Sequence, residues 1–308
     1  MDAVTVFAPG STSNLGPGFD CLGVAVGGHG DRVTARLGGS PGVRVVSVSD
    51  ARIPLEPGRN TAAIAASAVL RRAGGGSGRV GLDLSIEKGL PLAGGLGGSA
   101  ASAVAGAVAA DLVLQAGLSR DDLLEAALEA ETAVAGRHAD NVAPSLLGGA
   151  VLVLGLDPLA LSRVRVHPEL LLVLATPAYG VATAEARSVL PDRLSRGEAV
   201  GQAARLAGLV LGLERGDRDL VRRSMFDGIA EPARASLYPG YAQARSKALE
   251  AGAVGVAVSG AGPTAVALAD ASAAPRVLAA LVEGYGRAGF EAAGFVAEVD
   301  AEGARAEG

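Results

Sequence analysis

A glycine-rich stretch between a predicted strand and a predicted helix constrains this 308-residue chain more than any other feature. Residues 91–101 read Pro-Leu-Ala-Gly-Gly-Leu-Gly-Gly-Ser-Ala-Ala. A strand pattern over Val80–Glu87 precedes them, and a helical pattern runs from Ser99 to about Ala116. Glycines let backbone N–H groups approach a ligand closely, and the start of a helix attracts anions. This context predicts a phosphate-binding loop.

Two common phosphate-binding patterns do not fit this stretch. The chain has only two lysines, and neither stands in the Gly-Lys-Ser/Thr of a Walker A loop. Gly95, Gly97 and Ala100 match the dinucleotide fingerprint G-x-G-x-x-G/A, but that fingerprint requires a second strand after the helix. A capped second helix begins at residues 119–122 instead, so a dinucleotide site is the weaker alternative.

Composition limits the classes of partner. The chain is 49% hydrophobic and 19% charged, which supports a large core. A net charge of −5 without a basic run argues against nucleic acid as a partner. One cysteine, Cys21, excludes a disulfide framework and a cysteine metal site. No apolar run reaches 18 residues, and the first residues lead directly into a strand pattern. We therefore expect a cytoplasmic protein without a membrane partner.

The order of predicted elements indicates an α+β protein of two domains. Strand patterns dominate the beginning of the chain, and helices and strands alternate in the second half. The polar, proline-containing segment Asp157–Arg165 predicts the crossing between domains, which gives domains 1–157 and 158–308. A long loop is predicted over Ala8–Gly23, because this segment is rich in glycine, proline and small polar residues.

Glu131 is the carboxylate whose placement most needs explanation. It follows Leu124 and Leu128 by seven and three residues, so it lies on the predicted buried stripe of its helix. A buried carboxylate requires a compensating cation or hydrogen bonds. Mg²⁺ bridging ATP phosphates would provide one, and an ion pair with Arg137 or another arginine is the structural alternative. Glu125 and Glu129 fit a solvated face better.

Several polar clusters lie near predicted turns. Asn14 and Asp20 fall in the first predicted loop, where both residue types are also ordinary turn formers. The segment 136–149 places His138, Asp140 and Asn141 within four residues of one another at a predicted helix end. Elsewhere, the stretches Thr183–Arg187 and Glu231–Arg234 each contribute an arginine that can bind a carboxylate with two hydrogen bonds.

These motifs resemble the GHMP small-molecule kinases. Residues 91–101 match the family signature P-x3-G-L-G-S-S-A-A except that Gly98 stands for the first serine. The segments 8–23, 136–149 and 231–234 are similar to the homoserine kinase branch of the family, and Ser259–Thr264 resembles the third family motif. The resemblance implies a two-domain GHMP-kinase fold. Its N-terminal α/β domain has a left-handed crossover, and its C-terminal domain is ferredoxin-like.

The resemblance also implies a reaction and its residues. ATP would phosphorylate the hydroxyl of L-homoserine, with Mg²⁺ held by Glu131 and Ser99 and with Asn141 at the attacking hydroxyl. The implied amino-acid site consists of Asn14, Asp20, His138, Thr183, Arg187 and Arg234. The implied nucleotide site consists of Pro91, Gly94, Gly95, Leu96, Gly97, Gly98, Ser99, Ala100 and Ala101, with Asn60 and Lys88 at the adenosine.

Two alternatives to this reaction stay open. A GHMP kinase for another small alcohol would keep the phosphate loop without needing both arginines. A non-catalytic ligand sensor on the same fold would bind ATP and substrate without turnover. The oligomeric state is also open, with a homodimer as one candidate.

Overall fold

The computed structural model describes residues 3–74, 80–134 and 136–307. The strands in these ranges are β1 Ala3–Asn14, β2 Gly18–Gly38, β3 Gly42–Val48, β4 Gly81–Glu87, β5 Ala150–Leu156, β6 Leu159–Val164, β7 Leu171–Pro177, β8 Gly255–Val258, β9 Ala265–Ala269, β10 Ala292–Ala297 and β11 Arg305–Glu307. The helices are α1 Thr61–Arg72, α2 Gly98–Leu114, α3 Arg120–Val134, α4 Val142–Leu147, α5 Thr183–Ser188, α6 Arg196–Arg215, α7 Arg218–Ser224, α8 Ala230–Ala233, α9 Tyr241–Glu250 and α10 Ala274–Arg287.

The first sheet is built around the long strand β2. Its main order is β11-β1-β2-β4-β3, and β5 and β6 extend it from the other end of β2. β3 and β4 are parallel neighbours joined through α1, whereas the other pairings in this sheet are antiparallel. Helix α2 is central to the core, because its alanine and valine side chains are buried on every face. The helix can therefore present only its N-terminal end to a ligand.

The second sheet has the order β10-β7-β9-β8, and its neighbouring strands are antiparallel. Numbered within this half of the chain, the order is 4-1-3-2, with helices between the first and second strands and between the third and fourth. This is the ferredoxin-like arrangement, so the prediction of a two-domain α+β fold is confirmed. Val277, Leu281 and Tyr285 bury one face of α10 in the core of this half.

The predicted loop over Ala8–Gly23 is wrong. Residues up to Asn14 continue β1, and β2 already begins at Gly18, so only three residues form the turn. Register shifts between Pro9 and Gly10 and between Ser13 and Asn14 interrupt the ladder. Bulges of this kind accommodate glycine and small polar residues while the strands stay paired, which local composition alone does not reveal.

The segment Asp157–Arg165 is also more regular than predicted. It contains the turn at Pro158 and strand β6, which pairs with β5 in the first sheet. The division into 1–157 and 158–308 stays a prediction. No helix in the three described ranges is long and apolar enough to cross a membrane.

Candidate active site

A cavity of about 350 Å³ brings the predicted site residues together. Its walls come from β1, the glycine-rich loop, α3, α5, α8 and the Ser259–Thr264 loop. Every predicted site residue except Ala101 lines it. Ala101 is fully buried in α2, and its N–H donates to Gly97 O at 2.8 Å, so that N–H is not free for a phosphate. For Ala101 the predicted nucleotide contact is wrong.

Gly97 sets the close approach of the phosphate loop to the rest of the site. Its φ is +62°, in the left-handed region that favours glycine, and α2 begins at the next residue. A Cβ atom at Gly97 would lie 2.2 Å from Ser11 Oγ and 3.1 Å from Asn141 Oδ1. The helix start therefore faces the cavity directly beside Asn141, where a phosphate group can meet unpaired N–H donors.

The Ser259–Thr264 loop holds the phosphate loop from the other half of the chain. Ser259 Oγ donates to Gly95 O at 2.6 Å, and Thr264 N donates to Gly94 O at 3.3 Å. Gly260 N donates to Ser13 O at 3.0 Å. The Ser259–Thr264 loop therefore packs against the phosphate loop through direct hydrogen bonds.

Asn60 and Lys88 line the cavity, but their polar groups already have partners. Asn60 caps α1 by accepting from Ala63 N at 3.2 Å, and it donates to Pro54 O at 2.9 Å. The Lys88 ammonium pairs with the fully buried Asp31 and donates to Gly98 O at 2.8 Å. Both residues therefore shape the walls around the loop, and their contact with a nucleotide stays a prediction.

Glu131 and Ser99 present unpartnered oxygens to the cavity. Among the described residues, the buried Glu131 Oε2 and Ser99 Oγ have no hydrogen-bond partner. Burial raises the pKa of Glu131 to about 7, and the Asp140 carboxylate adds to this, while the nearby Ser99 hydroxyl and Arg187 oppose it. No ion pair between Glu131 and an arginine occurs among the described residues, and Arg137 instead binds Glu125 at 2.8 and 3.0 Å.

A carboxylate and a hydroxyl without partners fit a hard cation such as Mg²⁺. Within the described ranges, no group of three or more His, Cys, Asp or Glu side chains could hold a metal ion. Mg²⁺ commonly takes few protein ligands and keeps water and substrate phosphates. The donor set here has that character.

Asn141 sits in a polar cluster that the sequence only partly indicated. Its Oδ1 accepts from Ser11 Oγ at 3.0 Å, and its Nδ2 donates to Ser13 Oγ at 3.2 Å. Ser11 and Ser13 were missed as site residues. Their spacing of two in a strand puts both on the same face, which is the signal that could have found them. Asp140 is buried nearby, and burial raises its pKa to about 6, with the charge of Asp20 adding to the effect.

Asp20 and Arg187 form an ion pair in the wall of the cavity. Two guanidinium nitrogens of Arg187 donate to its carboxylate oxygens at 2.7 and 3.0 Å. His138 Nδ1 lies 3.6 Å from Asp20 Oδ2, and burial lowers the pKa of His138, while Asp20 partly counteracts this. The predicted ammonium-binding and carboxylate-binding residues are therefore partners of each other in this structure.

Arg234 is buried, at 3% exposure, without a carboxylate partner. Its Nε donates to Ala186 O at 2.6 Å, and one terminal nitrogen donates to Gly260 O at 3.4 Å. In the described ranges no carboxylate oxygen lies within 4.0 Å of its nitrogens. The Phe19 ring, which sequence reasoning missed, lies 5.2 Å from the Arg234 guanidinium carbon and 5.7 Å from that of Arg187.

The same Gly260 carbonyl binds a second predicted residue. Asn14 Nδ2 donates to Gly260 O at 2.9 Å, and Asn14 Oδ1 accepts from Asp20 N at 3.2 Å. Thr183 is the first residue of α5, one turn before Arg187. The residues of the predicted amino-acid site therefore line one part of the same cavity.

Comparison with known proteins identifies the family. The description "GHMP kinases N terminal domain" matches residues 60–149, and "GHMP kinases C terminal" matches residues 209–287. The homoserine kinase of Arabidopsis thaliana is 41% identical over 313 residues, covering 98% of this chain and 84% of that protein. The homoserine kinase of Xanthomonas campestris is 39% identical, covering 97% and 92%. The chain belongs to the homoserine kinase family.

Solved structures agree with this membership. The crystal structure of homoserine kinase from Cytophaga hutchinsonii has a TM-score of 0.93 and 38% sequence identity, covering 100% of this chain and 98% of that one. Mevalonate kinase of L. major has a TM-score of 0.73 at 16% identity, which shows the shared fold alone. As a member of the homoserine kinase family, the protein is an ATP-dependent small-molecule kinase.

Proposed function

We propose that this kinase phosphorylates the hydroxyl of L-homoserine with ATP, giving O-phospho-L-homoserine and ADP, a step towards threonine. The observation that carries the proposal is Arg234, a buried arginine without a carboxylate partner in the cavity that also contains the phosphate loop. An arginine is almost never fully buried unless it is paired. A substrate carboxylate would supply the missing partner. The homoserine kinases that match this chain support the amino acid as that substrate.

The reaction requires positioning more than covalent help from the protein. The homoserine hydroxyl oxygen attacks the γ-phosphorus of ATP, the bond to the β–γ bridging oxygen breaks, ADP leaves, and the hydroxyl proton is released to water. The Asn141 carboxamide can accept a hydrogen bond from the hydroxyl but cannot take up the proton. The loop Gly94–Ala100 and the start of α2 would hold the phosphates through backbone N–H groups.

We further propose that Mg²⁺ binds at Glu131 and Ser99. Their unpartnered oxygens support this assignment. The bound ion would neutralise phosphate charge during transfer. Gly98 supplies no hydroxyl where the family signature has a serine, which leaves Ser99 as the hydroxyl at the helix start.

The substrate groups would divide between two sets of side chains. Arg234 and Arg187 would bind the carboxylate, because each guanidinium can donate two parallel hydrogen bonds. Asp20 would attract the ammonium group, and its pairing with Arg187 leaves the local charge balanced for a zwitterion. The remaining predicted contacts are Asn14, His138 and Thr183.

Two further assignments stay predictions. A cytoplasmic location is supported by the need for ATP, and fractionation of cells tests it. A homodimer is tested by light scattering of the purified protein at several concentrations.

A coupled ADP-release assay tests the proposed function. The panel contains L-homoserine, L-serine, 3-aminopropan-1-ol, mevalonate and galactose, each with Mg²⁺ and ATP. Turnover with L-homoserine well above the others is expected. Turnover with another alcohol alone would support a different GHMP kinase activity. ATP binding by calorimetry without turnover would support a ligand sensor, and tight NAD binding without ATP binding would contradict the kinase assignment.

A further inference from the structure

Glu231 is an acidic residue near the site that the proposed reaction does not use. It lies on α8, three residues before Arg234, and is partly exposed. Its Oε1 accepts from Val258 N at 2.8 Å, and its Oε2 accepts from Tyr241 Oη at 3.2 Å. Both carboxylate oxygens therefore bind groups outside α8.

These contacts join α8 to the strand that leads into the Ser259–Thr264 loop. Val258 is the last residue of β8, and Gly260 follows two residues later. Arg234 contacts the same loop, because one of its terminal nitrogens donates to Gly260 O at 3.4 Å. Tyr238 adds a third, with its hydroxyl donating to Ala261 O at 2.9 Å. The segment 231–238 thus holds residues 258–261 at three successive points.

Asp227 holds the start of α8. This buried carboxylate accepts from Ile229 N at 2.8 Å, Ala230 N at 2.9 Å and Glu231 N at 3.1 Å. These three hydrogen bonds hold the first turn of this short helix, and they include the N–H of Glu231 itself. Arg234 Nε is held separately by Ala186 O at 2.6 Å, and the contact between Glu231 and Val258 contributes to the position of α8 relative to residues 258–260.

We infer that Glu231 is a positioning residue that sets Arg234 and the Gly260 carbonyl for the carboxylate end of the amino-acid substrate. The inference rests on the proposed function and deepens its substrate site. Glu231 acts through Val258 N and through the backbone of α8, without touching the substrate. Asn14 binds the same Gly260 carbonyl, so a shift of residues 258–260 moves contacts on both sides of the substrate site. The phosphate loop has its own anchors at Ser259 and Thr264.

The electrostatics of Glu231 indicate which substitution preserves this role. Burial of the carboxyl group raises the pKa of Glu231 to about 7, and the charge of Asp227 also raises this pKa. The hydrogen bonds from Val258 N and Tyr241 and the charge of Arg245 oppose the increase. In the structure both carboxyl oxygens of Glu231 act as hydrogen-bond acceptors. A glutamine oxygen can accept from Val258 N in its place, whereas alanine cannot.

The test compares Glu231→Ala, Glu231→Gln and Glu231→Asp with the wild type. The control is Asp111→Ala, which removes another buried carboxylate that accepts a backbone N–H, from Leu118 at 2.9 Å, and does not line the cavity. For Glu231→Ala we expect the KM for homoserine to rise about tenfold or more while the KM for ATP stays within about twofold. Glu231→Gln should stay within about threefold of wild type for both substrates.

The remaining outcomes separate positioning from structural support. Asp111→Ala should lower the Tm without changing either KM. If Glu231→Ala lowers only the Tm or kcat, with the homoserine KM unchanged, the inference is overturned. If Glu231→Ala does not fold, Glu231→Asp decides, because its shorter side chain cannot reach both Val258 N and Tyr241 Oη and should raise the homoserine KM.

Failure of the proposed function gives a different result. In that case the wild type would not phosphorylate homoserine at all. Calorimetric titration with homoserine would then test Glu231 directly. A Kd that weakens in Glu231→Ala and recovers in Glu231→Gln supports positioning, and equal Kd values or no binding to the wild type overturn it.

Discussion

Asp20 and Arg187 form a bidentate ion pair, with guanidinium nitrogens 2.7 and 3.0 Å from the two carboxylate oxygens. The pair joins the second strand of the chain to helix α5, 167 residues later. Each side chain neutralises the other while one face of the pair borders the cavity. A zwitterion can therefore place its ammonium near Asp20 and its carboxylate near Arg187 without leaving either charge uncompensated.

The ion pair predicts coupling between its two members in substrate binding. Asp20→Asn and Arg187→Leu should each lower kcat/KM for homoserine by about one to two decades. Their double variant should lose less than the product of the two effects, with a coupling above about 0.5 kcal/mol. Steady-state kinetics on the four proteins measures it. The exposed pair Arg218–Asp270 provides the control, and Arg218→Leu should leave kcat/KM unchanged. Strict additivity would mean that the two residues act separately.

The guanidinium of Arg234, which has no carboxylate partner among the described residues, predicts that the enzyme selects substrates that carry a carboxylate. Arg234→Leu should lower kcat/KM for homoserine by about one to two decades, because it removes a charge-assisted contact. The residual rate with 3-aminopropan-1-ol, which lacks the carboxylate, should change little. Arg234→Lys should recover only part of the homoserine activity, since lysine cannot donate two parallel hydrogen bonds. If Arg234→Leu and Arg187→Leu both leave homoserine kinetics unchanged, another small alcohol is the substrate.

The sequence predicted the fold and the composition of the site well where local patterns decide. Strand β4 at Gly81–Glu87 and helix α2 at Gly98–Leu114 lie within two residues of their predicted bounds, because the glycine-rich stretch separates two regular patterns. The continuation of β1 through Ala8–Asn14 could not be predicted from composition. Its strand conformation depends on pairing with β2, and glycine, proline and serine in that segment locally indicate a loop.

Contacts between distant segments were the other part that sequence could not supply. The residue types at Asp20 and Arg187 indicated an amino-acid site, but nothing local indicated that the two side chains bind each other. The same holds for Lys88, whose ammonium is taken by Asp31. A motif gives the residue types of a site, and the tertiary structure decides which of them are already satisfied.

Alanine variants of Gly97 and Gly117 are expected to separate the effect of a left-handed backbone from the effect of crowding at the phosphate site. Gly97 and Gly117 have similar φ values, +62° and +66°, but only Gly97 would place a Cβ atom against other atoms. Both alanine variants should lose about 1 kcal/mol of stability from the left-handed backbone. Gly97→Ala should in addition raise the ATP KM or abolish activity, because its Cβ would displace Ser11 and Asn141. Kinetics and chemical denaturation of both variants measure this, and equal ATP kinetics would contradict the role of the close approach.

The role proposed for Glu131 predicts that its substitution changes the Mg²⁺ requirement of the reaction. Glu131→Gln keeps the shape of the side chain but loses the charge that offsets a cation. We expect a lower kcat and a higher Mg²⁺ concentration for half-maximal activity. The control Glu125→Gln removes a half-buried carboxylate of the same helix, which binds Arg137 outside the cavity, and should leave the Mg²⁺ dependence unchanged. A variant at Glu131 that melts at a different temperature but keeps wild-type Mg²⁺ dependence would assign this residue a structural role.

The raised pKa of Glu131 also predicts how stability depends on pH in the absence of nucleotide and metal. Its folded-state pKa of about 7 lies above its ordinary value of 4.5, so between these values the folded state binds more protons than the unfolded state. Stability therefore falls as pH rises from 4.5 to 7, by about 3 kcal/mol for this group alone. Glu131→Gln removes this pH dependence. The Tm of the variant minus the Tm of the wild type should therefore be larger at pH 8 than at pH 5. A difference in Tm that does not change with pH would mean that Glu131 is already ionised and compensated in the free protein.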